Sequence, residues 1–257
     1  MMRRIFFIAG NCFLDVARHK MISIHFIFLL IVLGLFNLFG HYSTTPDLEY
    51  KMIQDIGISV ISLFGLLMAM FIGVATLRED LVHKTAYTVL TLPMARWEFY
   101  LGKFFGTLFS VALNVGIMIC VFAFLLFLKF GTVWTTFFWI ILFNTMELAI
   151  ISSLVLLFSL SDSTILAFSF TFFFVILGNL ATYITHLIEE TGIETLSWLA
   201  KCAFVFIPNF GLFNIKARIL KNFALSPHLV GWAVGYCILY LLFTVGIGII
   251  FMERRDL

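Results

Sequence analysis

The chain has 257 residues, 62% of them hydrophobic and only 12% charged, with a formal net charge of +2. Soluble domains carry about 25% charged and about 45–50% apolar residues. Sixteen Lys and Arg plus 14 Asp and Glu therefore cannot coat a water-exposed surface of a chain this long. A disordered segment, a disulfide-stapled secreted domain and a cytosolic enzyme are excluded, and an integral membrane protein is indicated. Cys12, Cys120, Cys202 and Cys237 share no CxxC spacing, so neither a structural disulfide nor a metal site is expected.

In chain order, Arg3 and Arg4 precede a short apolar stretch that imitates a signal peptide, but Asn11 and Asp15 interrupt it before Arg18-His19-Lys20. Ile5, Ile8, Cys12, Phe13 and Val16 recur at helical spacing, with Arg4, Asn11, Asp15 and Arg18 off that face. Residues 1–20 thus read as an amphipathic helix lying on the inner membrane surface. A bilayer-crossing helix needs about 20 mostly apolar residues. Six runs qualify: Met21–Phe39, Ile56–Leu77, Phe104–Leu128, Val133–Leu160, Thr164–Leu187 and Leu229–Met252. The expectation is a single all-α polytopic domain over residues 1–257 with six transmembrane helices.

Six spans put both termini on one side. That side would hold Arg3, Arg4, Arg18, Lys20, Arg78, Lys84, Arg96, Lys103, Arg254 and Arg255. The other would hold Lys51, Lys129, Lys201, Lys216, Arg218 and Lys221, four of them in one long loop. Basic residues stay in the cytoplasm, so both termini are assigned there, in the plasma (inner) membrane. Residues 188–228 begin with Glu189, Glu190 and Glu194, and their apolar stretch Leu196–Ile207 ends at Pro208-Asn209. Twelve such residues are too few to span, and the segment reads as re-entrant or interfacial before the last helix. A seventh helix is the alternative and would put the C-terminus outside.

Catalytic signatures are mostly missing: there is no HExxH, no GxSxG and no paired-histidine spacing. Gly102-Lys103 is followed by Phe104, and Trp97 stands where a phosphate-binding loop has its first glycine, so ATP is not held by that device. The segment 78–103 flanks an amphipathic core of Val89, Leu90, Leu92, Met94 and Trp97 with charges. An ordinary positive-inside loop accounts for the charges but not for the exposed apolar groups; a short helix docking in a partner's groove accounts for both. Glu147 is the one charged residue inside the six runs. Such an acid by default marks a functional site. Its rival role, preferred here because no second acid or base could complete a proton relay, is to tie span four to a neighbour, with Asn144 or Thr145 as local partner. The Phe clusters read as lipid contact and packing, and Trp134, Trp139, Trp198 and Trp232 as interfacial anchors.

The order of these features resembles the permease subunits of ABC-2 type transporters. Glu79, Thr85, Pro93, Arg96 and Gly102-Lys103 stand at the places of that family's cytoplasmic-loop pattern, with Lys84 where the family usually has glycine. The ending Phe251-Met-Glu-Arg-Arg-Asp-Leu257 and the N-terminal amphipathic "elbow" helix are similar too. The resemblance implies an ATPase-coupling segment containing Arg78, Glu79, Lys84, Thr85, Leu90, Pro93, Arg96 and Trp97. It implies a separate ABC ATPase subunit that carries ATP and Mg, and a second permease copy, identical or related. Neither a cofactor in this chain nor a nucleic-acid partner is implied. The expected function is ATP-driven transport, with export favoured. A second reading is a mechanical transmitter that acts through residues 188–228 on an extracytoplasmic protein. An intramembrane enzyme is disfavoured by the lack of a catalytic constellation.

Overall fold

A computed structural model describes residues 2–18, 21–42, 46–82, 95–131, 136–161, 163–190, 206–214 and 226–254. Within them the chain forms α1 (Met2–Arg18), α2 (Met21–Tyr42), α3 (Pro46–Val82), α4 (Arg96–Phe130), α5 (Thr136–Phe158), α6 (Thr164–Glu190) and α7 (Pro227–Arg254). A single 3₁₀ turn, Phe210–Leu212, precedes α7, and no strand occurs among the described residues. The local reasons are conventional. Pro46 and Pro227 open their helices, where a missing N–H costs nothing. Ser226 Oγ accepts from the Leu229 N–H at 3.3 Å and caps α7. Gly131 closes α4 at φ 71°, its N–H bonding the Phe127 carbonyl at 2.9 Å.

Five stretches are long and apolar enough to cross a membrane: Leu48–Leu77, Arg96–Phe130, Phe138–Phe158, Thr164–Ala181 and Pro227–Arg254. They match the second to sixth apolar runs. The first run forms α2, but its described apolar part, Ile24–Leu38, falls in a shorter class. At 35 residues, α4 is about 52 Å long, well beyond the hydrocarbon core of roughly 30 Å. Helix therefore continues past the apolar run: Arg96–Lys103 are its first turns, and α3 likewise carries on to Val82. The segment 78–103 is helical at both ends, and Lys84, Thr85, Leu90 and Pro93 lie outside the described residues.

Contacts along the helices fix their directions. Gly57, Gly65 and Gly73 of α3 face Phe122, then Val115 and Leu148, then Val155 with Thr107 beyond, so α3 runs against α4 and with α5. Cys237 and Thr244 of α7 bond the Met146 carbonyl and Ser153 Oγ of α5, so α7 runs with α5. From α2 to α7 the helices alternate, and Ile8 and Arg254 belong to the same end of the bundle, called the near end below. At the far end Lys129 pairs with Glu49 and donates to the Phe36 carbonyl at 3.3 Å, tying α2, α3 and α4 together.

The three glycines of α3 recur every eight residues, and eight residues turn an α-helix by about 80° past two full turns. The small face thus swings from α4 toward α5 along the helix, and the close approach follows it. The buried core lies among α2–α7 and includes Phe28, Ile61, Phe122, Phe143 and Phe210. Four buried hydroxyls are satisfied inside their own helices: Ser110, Ser152, Ser159 and Thr171 each donate at 2.7–2.8 Å to the carbonyl four residues back. Phe105, Phe124, Phe138, Phe172 and Phe173 face outward, as a lipid-contacting surface requires.

Candidate functional site

Two places gather the residues singled out by sequence. The first is the near end. Here α1 packs on the opening turns of α4. A Cβ on Gly102 would sit 2.7 Å from Ile8 Cβ, and one on Gly106 would sit 2.7 Å from Cys12 Cβ. Four residues forward on α4 match four forward on α1, so the two helices run side by side in the same direction. Gly102, Gly106 and Ser110 form a small-residue groove that admits α1. The predicted amphipathic helix therefore exists, and its Ile8 and Cys12 face is turned onto protein. Phe13 adds an edge contact to Phe109, ring centroids 5.1 Å apart. Past α1, the later turns of α4 meet α2 instead: His25 Nε2 lies 3.3 Å from the Asn114 carbonyl, and Phe36 meets Phe122. One long helix is thus accompanied by two placed end to end, α1 beside its opening turns and α2 beside its later ones.

Cys12 is 2% exposed, and its thiol lies 3.7 Å from Thr76 Oγ1 near the end of α3. Burial pushes the thiol pKa up, against the opposing pull of Lys103 and of the hydrogen bond to Thr76. The group stays a protonated thiol at neutral pH and is a poor nucleophile. Glu98 and Lys103 are buried in the same turns of α4. Arg96 Nη1 donates to the Glu253 carbonyl at 3.1 Å, which joins the start of α4 to the end of α7. Trp97 is half-buried beside it. Arg78 and Glu79 fall in the last turns of α3. Leu77, Phe99, Tyr100, Phe104, Leu156, Val245 and Met252 form a separate apolar cluster behind these groups.

Tyr100 in that cluster is fully buried, and its hydroxyl has no hydrogen-bond partner among the described residues. It is wedged against α7, where a Cβ on Gly248 would come 2.1 Å from the hydroxyl oxygen. An unsatisfied buried hydroxyl costs about 1–3 kcal/mol. Tyr100→Phe is accordingly expected to leave stability unchanged or raise it by ~1 kcal/mol, measured by reversible unfolding in mixed micelles. A loss above ~1 kcal/mol would show that the hydroxyl has a partner.

The second place is a cavity of about 240 Å³ walled by α3, α5, α6 and the turn around Phe213. Ser62, Asn144, Glu147, Asn179 and Asn214 supply its polar lining, and Ile58, Phe143 and Phe213 are among its apolar walls. Asn144 is 6% exposed; its Oδ1 accepts from Ser62 Oγ at 3.4 Å, while Nδ2 has no partner among the described residues. The tie from α5 to α3 is therefore made by Asn144, whereas Thr145 bonds its own helix at the Ile141 carbonyl, 2.7 Å away. Ser62, Asn179 and Asn214 were not singled out by sequence. Asn179 could have been, since a carboxamide inside an apolar run raises the same question as an acid.

The cavity is closed on one side by a turn that returns into the bundle. The Asn209 N–H donates to Tyr236 Oη at 2.8 Å, and Tyr240 Oη donates to the Phe206 carbonyl at 2.9 Å. Phe210 and Phe213 are buried. Residues 191–205 and 215–225, including most of Leu196–Ile207 and the Lys216, Arg218, Lys221 series, lie outside the described residues. Among the described residues no group of three His, Cys, Asp or Glu could hold a metal ion.

Composition and architecture define the class: an all-helical, multi-pass membrane protein. No family model matches the chain, and no curated protein matches it.

Proposed function

We propose that the chain is the permease subunit of an ABC-2 type transporter, an exporter driven by a separate ATPase through the segment between α3 and α4. In this reading α1 is the elbow helix and α2 the first of six spans. Both termini face the cytoplasm across the plasma membrane, and a second copy or a related permease completes the pathway. The single observation that supports it is convergence: the three stretches that carry the resemblance meet at the near end. Arg96 bonds the Glu253 carbonyl, and α1 is seated on Gly102 and Gly106 of the same helix. A push on the start of α4 would move α1 and the end of α7 with it as one block. The nucleotide chemistry belongs to the partner, and this chain only transmits motion.

One observation favours a second reading, the mechanical transmitter. Two tyrosines of α7 hold the Phe206–Asn214 segment, so movement of α7 would reach residues 188–228. Gentle purification of the tagged chain separates the two. An ATPase alone supports transport, an ATPase with an extracytoplasmic protein supports the transmitter, and no ATPase sinks both. Charge reversal provides the residue-level test. Arg96→Glu with Glu79→Lys is expected to cut ATPase co-purification about tenfold or more, since reversed charges meet like charges across a polar rim. Full retention of the ATPase and of ATP-dependent activity would refute the coupling assignment.

A further inference from the structure

We infer that the cavity between α3, α5, α6 and the Phe213 turn is an aqueous vestibule, open to the far face of the membrane, which admits small hydrophilic solutes as deep as Glu147. Depth is the first ground. Asn179 and Asn214 line the cavity and are exposed. Glu147 stands eleven residues into α5, about 16 Å below its far end. Asn179 stands fifteen residues into α6, about 22 Å from its near end. Both levels fall inside a hydrocarbon core roughly 30 Å thick. The 3₁₀ turn Phe210–Leu212 is irregular backbone at the same level, because Pro208 and Phe210 rest on Gly178 of α6. Gly211 in that turn is exposed as well. Lipid offers no partner to carboxamides or irregular backbone, so at this depth such groups line water-filled space or protein.

The polar groups form a path that starts at the far end. Asp55, Ser59 and Ser62 stand at i, i+4 and i+7 on α3, on the face that also turns Ile58 and Leu66 to the cavity. Asp55 sits just before the apolar run, and Ser59 is exposed one turn deeper. On α6, Tyr183 is 64% exposed one turn nearer the far end than Asn179. Toward the near end the path stops. Phe71 of α3 meets Phe168 of α6 with ring centroids 5.2 Å apart, and Ile151 and Val155 of α5 are buried. The space, about 240 Å³ with a polar side chain on every wall, is many times the roughly 30 Å³ share of one liquid water. Water is the occupant these walls suit. The inference does not depend on coupling to an ATPase, because every wall belongs to one chain.

The test is cysteine accessibility of the full chain in intact cells and in inverted membrane vesicles. Cys120 and Cys202 are replaced by serine, and the buried Cys12 and Cys237 are kept. The probe is trimethylammonium-ethyl methanethiosulfonate, which does not cross membranes and reacts with a thiolate in water. Lys51→Cys and Arg254→Cys report the far and near faces. Leu180→Cys, at a position 44% exposed, reports the outer side of α6 beside Asn179. Ser59→Cys and Asn179→Cys are expected to react at least about tenfold faster than Leu180→Cys, and only from the face that modifies Lys51→Cys. Should Asn179→Cys fail to assemble, Ser59→Cys at its exposed position carries the test alone. Reaction no faster than at Leu180→Cys, or reaction from the face that modifies Arg254→Cys, would overturn the inference. So would a disulfide joining two copies through Asn179→Cys without modification by the probe, since a partner chain would then cover the cavity.

Discussion

Replacing Gly106 with leucine is expected to lift α1 off α4 and open Cys12 to alkylation. A Cβ at position 106 would lie 2.7 Å from Cys12 Cβ, 2.8 Å from its sulfur and 3.0 Å from the Ala9 carbonyl. Two of these are fixed by backbone, so the substitution cannot be absorbed by turning one side chain. Overpacking of this kind costs about 1–3 kcal/mol. The cheapest relief is local, because α1 turns its outer side, with Phe6 83% and Phe7 72% exposed, away from the bundle. Cys12 then passes from 2% exposure to open access. Burial is also what holds its pKa up, so undocking restores thiolate and shifts the alkylation profile to lower pH. With Cys120 and Cys202 replaced by serine, maleimide labelling at neutral pH should rise at least about tenfold, and Gly106→Ala should fall between the two. Unchanged labelling in a folded Gly106→Leu protein would mean that α1 is not seated there.

Helix α1 shows what periodicity conveys and what it omits. Ile5, Ile8, Cys12 and Phe13 mark one apolar face, but a lipid surface and a groove on another helix demand the same spacing. The discriminating signal stood elsewhere, in Gly102-x₃-Gly106-x₃-Ser110, where small residues at helical spacing let backbones approach. Helix ends were hidden for a different reason. Apolar runs report hydrocarbon thickness, whereas backbone hydrogen bonding continues as long as caps allow, so α4 starts at Arg96 rather than at Phe104. Glu147 was legible because a carboxyl amid apolar residues has no cheap explanation. Its cavity was not, since Ser62, Asn179 and Asn214 come from three other places in the chain and only the packing of α3, α5 and α6 assembles them.

The same packing makes α3 the element most sensitive to small volume changes, and Gly73 is the sharpest place to measure it. Gly73→Ala would bring a methyl 2.6 Å from Val155 Cγ1 and 3.0 Å from its Cβ. Val155 is fully buried, and a β-branched side chain in a helix has one strongly preferred rotamer, so it cannot swing away. The substitution is expected to cost about 1–3 kcal/mol. Gly65→Ala provides the contrast: its nearest neighbours are the terminal carbons of Leu148, at 3.0 and 3.3 Å, with Val115 Cγ2 at 3.2 Å. These can give a few tenths of an ångström, and the loss should stay below ~1 kcal/mol. Val155→Ala alone removes two buried methyl-sized groups, a loss of about 1.6 kcal/mol before any cavity term. Combined with Gly73→Ala, the new methyl fills part of that space, so the double variant should be more stable than the sum of the two single losses by about 1–2 kcal/mol. Reversible unfolding of the four proteins in mixed micelles measures this coupling directly. Strict additivity would show that α3 is not pressed on α5 at Gly73, and would also remove the registry that brings Ser62 to Asn144 about three turns away.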